Sequence, residues 1–222
     1  MKDELWASIP PYQRDARTKG IPALGSGAVY QVPESTVSIP DFELPKHWPR
    51  AWALDAAASG PTAAVWGALD RESGTLYIYS VYKREQAEPA IHAAAVRARG
   101  EWIWGVGDVA AIANSDGEQF IDLYRRLGLD IQLADKGVES GIQEVWELLS
   151  AGRLKVFASC GGWFEEYRLY RRDEKGRIVK ANDHLMDATR YLVKSGLDRM
   201  RVEAATRPDF GAGLPEVHWS AI

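Results

Sequence analysis

The spacing of hydrophobic and polar positions changes along this chain. Residues 1 to about 46 show no sustained period and carry Pro10, Pro11, Pro22, Pro33 and Pro40. Proline at that density blocks helices and central strands, so a linker, or a strap lying on the domain, is expected there. Trp52 to Ala56 then forms a short apolar stretch that contains Asp55. Ala63 to Leu69 is a second, and Leu76 to Tyr82 alternates aromatic and β-branched residues. Three strands joined by short turns predict an antiparallel meander. Alanine-rich Glu85 to Arg99 predicts a helix stopped by Gly100, and Trp102 to Val106 a buried strand running into GDVAA. In Asp116 to Leu127, the positions Phe120, Leu123, Tyr124 and Leu127 follow the helical i, i+3, i+4, i+7 rule. Ile142, Val145, Trp146 and Leu149 repeat that spacing within Ser140 to Ser150. Asp130 to Ala134 and Leu154 to Phe157 read as strands. Beyond them the pattern predicts a helix over Trp163 to Arg172, a hairpin over Asp173 to Lys180 turning at Lys175-Gly176, and a last helix over Asp183 to Ser195. Asn182 or Asp183 is placed to cap that last helix through a side-chain oxygen. Residues 198–222, with Pro208, Gly211, Gly213 and Pro215, predict a flexible tail.

The order is thus three strands, then helix, strand, helix, strand, helix. A right-handed crossover out of the third strand must deliver the fourth to a free edge of the meander, and the edge beside the first strand is available. The expected fold class is α/β: a ribonuclease H-like mixed sheet, with an antiparallel meander plus parallel strands, flanked by helices and spanning residues 47–197.

That topology sets Asp55 and Asp108 side by side at the carboxyl ends of two parallel strands, about 5 Å apart. Ligands of α/β sheets bind in such a crevice. Asp187, one turn into the last helix, can close it from the side. Converging carboxylates repel one another unless a cation sits between them, so the cluster implies either raised pKa values or a hard divalent metal, and oxygen-only ligation suits Mg2+ or Mn2+. Two such ions about 4 Å apart activate water and stabilise the leaving oxygen of a phosphodiester. Asp183 shares the helical face of Asp187 at i, i+4, although capping alone also explains it. His184 could contact phosphate but is read as a helix-start residue, and Lys136 could reach the pocket or a phosphate but is read as an exposed loop lysine.

Composition narrows the classes further. The single cysteine, Cys160, excludes an internal disulfide framework and a cysteine zinc cage. It precedes Gly161-Gly162 with no base evident nearby, which makes a reactive thiol the lesser reading. The apolar run Ala63–Leu69 is far shorter than the roughly 18 residues a membrane helix needs, so no membrane partner is expected. Neither GxxxxGK[ST] nor HExxH nor GxSxG occurs. The net charge is −4, yet Arg153 to Arg201 holds 12 Lys and Arg against 7 Asp and Glu, leaving the rest of the chain at −9. This stretch is a candidate polyanion face.

A family resemblance rests on several segments in order: ARTKGIPALGSGAVYQVPE, HWPRAWALDAAASGPTAAVWGALD, LYIYSVYK, GDVAA, ADKGVESGIQEVWELLSAGRLKVF and EEYRLYRRDEKGRIVKANDHLMDATRYLV. Together, over roughly residues 16 to 195, they resemble the C-terminal nuclease domain of tailed-bacteriophage large terminase subunits. The resemblance implies an endonuclease that cuts concatemeric double-stranded viral DNA during genome packaging in the host cytoplasm. It carries the family's metal ligands onto Asp55, Asp108 and Asp187, with Asp183 at a commonly acidic position. It further implies an ATPase domain in the full-length protein, with portal and small terminase subunit as partners. Ala56-Ala57 and Val109 depart from the family pattern in ways that bear on loop shape. Sequence-independent phosphate contacts are expected from Arg168, Arg171, Arg172, Lys175, Arg177 and Lys180. A rival reading makes the domain a non-catalytic DNA or portal docking module, with the tail around Trp219 as a partner peptide.

Overall fold

The computed structural model describes residues 27–56, 60–85, 87–108 and 119–204. Residues 1–26, Ala57 and Val109 of the family pattern, the Asp116 start of the second predicted helix and the Trp219 tail lie outside them.

Seven strands form one mixed sheet. They are β1 (Ser38–Ile39), β2 (Arg50–Asp55), β3 (Thr62–Asp70), β4 (Thr75–Arg84), β5 (Trp104–Asp108), β6 (Ile131–Leu133) and β7 (Leu154–Phe157). Their order across the sheet is β1-β7-β4-β3-β2-β5-β6. β2, β3 and β4 make the antiparallel meander, and β5 lies parallel to β2 on its free edge. β6 adds parallel to β5, while β7 and then β1 add parallel beyond β4. This is the ribonuclease H-like arrangement that the crossover rule requires of the element order.

Helices cover both faces. The helices are α1 (Glu34–Val37), α2 (Pro89–Arg97), α3 (Phe120–Arg126), α4 (Val138–Ser150), α5 (Gly161–Leu169) and α6 (His184–Tyr191). Strand alternation sorts the core into two layers. Trp52, Leu54, Ala64 and Trp66 pack with Ala93 and Val96 of α2 and with Ile121 and Tyr124 of α3. Ala51, Ala53, Val65, Trp104 and Val106 face the other way, onto Val145 of α4, Trp163 of α5, and Leu185 and Ala188 of α6.

Several boundaries differ from the pattern-based ones for physical reasons. α2 begins at Pro89 rather than Glu85, because proline fixes φ and suits the first helical position. α5 ends at Leu169, since Tyr170 turns extended and buries its ring, so Arg171 and Arg172 lie on extended backbone bridged to Ala28 and Ile178. The last helix passes at Leu192–Gly196 into a wider π turn. The stretch 27–46 holds a short helix, an edge strand and two core residues, Tyr30 and Val37.

Candidate active site

The alternation that builds the core also aims the site. Asp55 has the parity of Ala51 and Ala53, and Asp108 that of Trp104 and Val106, so both carboxylates point to the face covered by α6. They are paired across β2 and β5, residue against residue. α6 contributes Asp183 just before its first turn and Asp187 within it. A cleft of about 430 Å3 opens there, lined by Asp55, Asp108, Asp183 and Asp187 together with Lys136, His184, Lys180 and Arg190.

Every carboxylate in the cleft faces a basic side chain. His184 Nδ1 lies 2.9 Å from Asp55 Oδ2, and Lys136 Nζ lies 2.5 Å from Asp108 Oδ1. Lys180 Nζ stands between Asp187 Oδ2 at 3.0 Å and Asp183 Oδ2 at 3.1 Å. Arg190 Nη2 approaches Asp187 Oδ1 at 2.9 Å. The electrostatics follow from this interleaving. Burial pushes the Asp55 pKa up; the His184 hydrogen bond opposes it, and the Asp187 and Asp108 charges add to the rise. The Asp55 hydrogen bond holds the His184 pKa above its ordinary value. Burial alone would lower the Lys180 pKa, but Asp187 and Asp183 outweigh it and the net shift is upward.

Among the described residues no three carboxylate or imidazole groups form a finished cation cage. The donors nevertheless suit a hard divalent ion. All four are carboxylates, and Asp183 Oδ2 and Asp187 Oδ1 are buried without an aligned hydrogen bond. Each has a cation nearby, but neither uses its lone pairs in a directional bond.

Lys136 is an exposed loop lysine, as expected, and its ammonium also reaches Asp108 in the cleft. Two residues at the start of α6 are placed differently from the sequence reading. Asp183 occupies the N-cap position of α6 but makes no capping hydrogen bond, and neither does Asn182; the Asp183 side chain pairs with Lys180 instead. The Leu185 N–H that such a cap could satisfy is bound by Glu166 Oε2 of α5 at 2.6 Å. Sequence reasoning passed over Glu166, although its spacing from Trp163, Tyr167 and Tyr170 puts a glutamate on an inward apolar helix face. It also passed over Arg190, which is 1% exposed.

The basic stretch divides. Lys180 lines the cleft. Arg168 forms a two-point pair with Glu34, with both contacts at 2.7 Å, and Arg172 another with Glu139 of α4 at 2.9 and 2.6 Å. Arg177 folds back on Asp173. Arg171 and Lys175 are exposed, and the turn closes at Gly176 with φ of +77°. Cys160 is buried, and burial pushes its thiol up to about 11, which leaves it unreactive near neutral pH.

Comparison with known proteins agrees with the fold. The family model described as terminase RNaseH-like domain matches residues 52–195. The large terminase subunit of Salmonella phage P22 is 37% identical over 202 residues, an alignment covering 86% of this chain and 40% of that subunit. The solved P22 large terminase nuclease domain superposes with a TM-score of 0.72 at 33% identity, over 81% of this chain and 97% of that one. The G2p large terminase nuclease domain of bacteriophage SPP1, solved with bound Mn, shares the fold at a TM-score of 0.52 and 20% identity, over 72% of this chain and 96% of that one.

Proposed function

Because the chain belongs to the terminase RNaseH-like domain family, we propose that it is a Mg2+- or Mn2+-dependent endonuclease that cuts concatemeric double-stranded viral DNA during genome packaging in the host cytoplasm. The observation that carries this reading is the meeting of Asp55, Asp108, Asp183 and Asp187 in one open cleft at the carboxyl ends of parallel strands. Those four residues would hold the metal, one ion or two with DNA present. Divalent ions in such a site lower the pKa of a bound water and neutralise charge on the leaving oxygen. Mn bound to the SPP1 domain supports the choice of ion.

The chain's own residues do the rest. Asp55 and Asp108, on neighbouring strands of a packed sheet, are held at fixed separation by the ladder. Asp187 is held from behind by buried Arg190. Lys136 and Lys180 balance the carboxylate charge, and both face the opening through which a phosphodiester would enter. Arg171 and Lys175 offer phosphate contacts that carry no sequence information. The chain spans 40% of the P22 subunit, so we extend the proposal to an ATPase domain in the full-length protein, with the portal and the small terminase subunit as partners.

Nicking of supercoiled plasmid tests the reading. The chain should nick with Mg2+ or Mn2+ and stop on chelation. Asp108→Asn should lower the rate at least about a hundredfold, since even residues behind a metal ligand cost 10- to 100-fold when removed. An Asp108→Asn protein that is folded and nicks at the wild-type rate would leave the carboxylates structural and favour a docking module.

A further inference from the structure

α6 carries Asp183, His184 and Asp187, yet its own sequence supplies no side-chain cap. Uncapped N–H groups at a helix start let the first turn fray, and both acidic residues sit at or within that turn. The missing acceptor comes from a different helix. Glu166 of α5 is 2% exposed; its Oε2 accepts the Leu185 N–H at 2.6 Å and its Oε1 accepts from Lys83 Nζ at 2.7 Å. A buried carboxylate is retained only when its lone pairs and charge are both answered, and here a helix N-terminus and an ammonium answer them.

Lys83 is itself part of the site's frame. Asp108, Asp55, Ala63 and Lys83 are successive register partners across β5, β2, β3 and β4. Glu166 therefore ties the start of α6 to the same cross-sheet row that carries Asp55 and Asp108. A second fastener holds the helix one turn on: Trp163 Nε1 donates to Thr189 Oγ1 at 2.9 Å.

We propose that Glu166 is a positioning residue: it acts through the α6 backbone to hold Asp183 and Asp187 opposite Asp55, and so sets the affinity of the cleft for a divalent cation. This rests on the metallonuclease reading above. Its test needs two variants. Glu166→Leu keeps volume and removes the acceptor; Glu166→Gln keeps an acceptor for Leu185 and loses the charge paired with Lys83. Mn2+ binding is measured by calorimetry on the DNA-free protein, melting temperature alongside it, and amide hydrogen exchange over residues 183–191 without metal.

Glu166→Leu should raise the Mn2+ dissociation constant about tenfold and speed exchange at the start of α6. Glu166→Gln should melt lower than wild type, yet bind Mn2+ within about twofold of it and retain slow exchange. Equal losses of melting temperature in both variants, with unchanged Mn2+ affinity and exchange, would overturn the inference and leave Glu166 as ordinary packing. Slow exchange in a Glu166→Leu protein too unstable for calorimetry would overturn it as well. A wild-type protein that neither binds Mn2+ nor nicks would instead refute the metallonuclease reading, and with it the metal-affinity half of this inference; the exchange measurement would then decide the capping half alone.

Discussion

Asp55 and Asp108 share a face because a strand alternates its side chains, and the sequence itself states that alternation. Trp52-Ala53-Leu54-Asp55 puts its bulky members on one layer and its small and acidic ones on the other. The positions of Lys136 and Glu166 were not legible in the same way. A loop lysine has no period, and a lone glutamate on an apolar helix face has a partner only in three dimensions. Asp183 looked like a cap because local sequence rules know nothing of a competing carboxylate from another helix. Gly141 carries a steric prediction of its own. A Cβ added there would run into Arg190 Cγ and lie 2.8 Å from its Cδ. Arg190 is buried and committed to Asp187, so it has little room to yield. Gly141→Ala should cost about 1–3 kcal/mol in urea denaturation, as overpacking does. A variant as stable as wild type would mean that Arg190 is free to move.

Among the elements, strands were easier to read than helix ends. The meander and the β5 crossover follow from apolar runs and turn residues, whereas the start of α2 and the end of α5 were decided by Pro89 and by burial of Tyr170. The two-residue strand β1 is too short to show a period at all, and it forms by adding to the edge of β7. The basic hairpin was legible as a turn, but the pairing of its arginines was not. From that pairing we infer that Arg171 and Lys175 are the side chains freer to meet phosphate. Replacing Arg171 and Lys175 by alanine should weaken DNA binding and shrink the slope of log K against log salt by roughly 2, about 0.9 for each phosphate no longer neutralised. Arg168→Ala, which removes only a partner of Glu34, should leave that slope unchanged. Equal slopes for both proteins would refute the division.

Across the fold, one sheet brings together carboxylates 53 and 79 residues apart in sequence, counted from Asp55 to Asp108 and from Asp108 to Asp187. The crossover rule fixes the first meeting, and the packing of α6 across β2 and β3 fixes the second. The excess of positive charge in residues 153–201 now has a spatial meaning: part of it is tied up in internal ion pairs, part of it faces the acidic cleft, and Arg171 and Lys175 stay exposed near the hairpin turn. The nuclease proposed above requires that this cleft take a divalent ion. Crystals soaked in Mn2+ and measured for anomalous scattering at the manganese edge test it most directly. A peak should appear between Asp55 and Asp108, with Asp187 or Asp183 also contributing an oxygen at roughly 2.1 Å, the distance expected of a small hard cation, and with the Lys180 ammonium displaced. A cleft without a peak, in which Asp187 stays on Lys180 and Arg190, would contradict it.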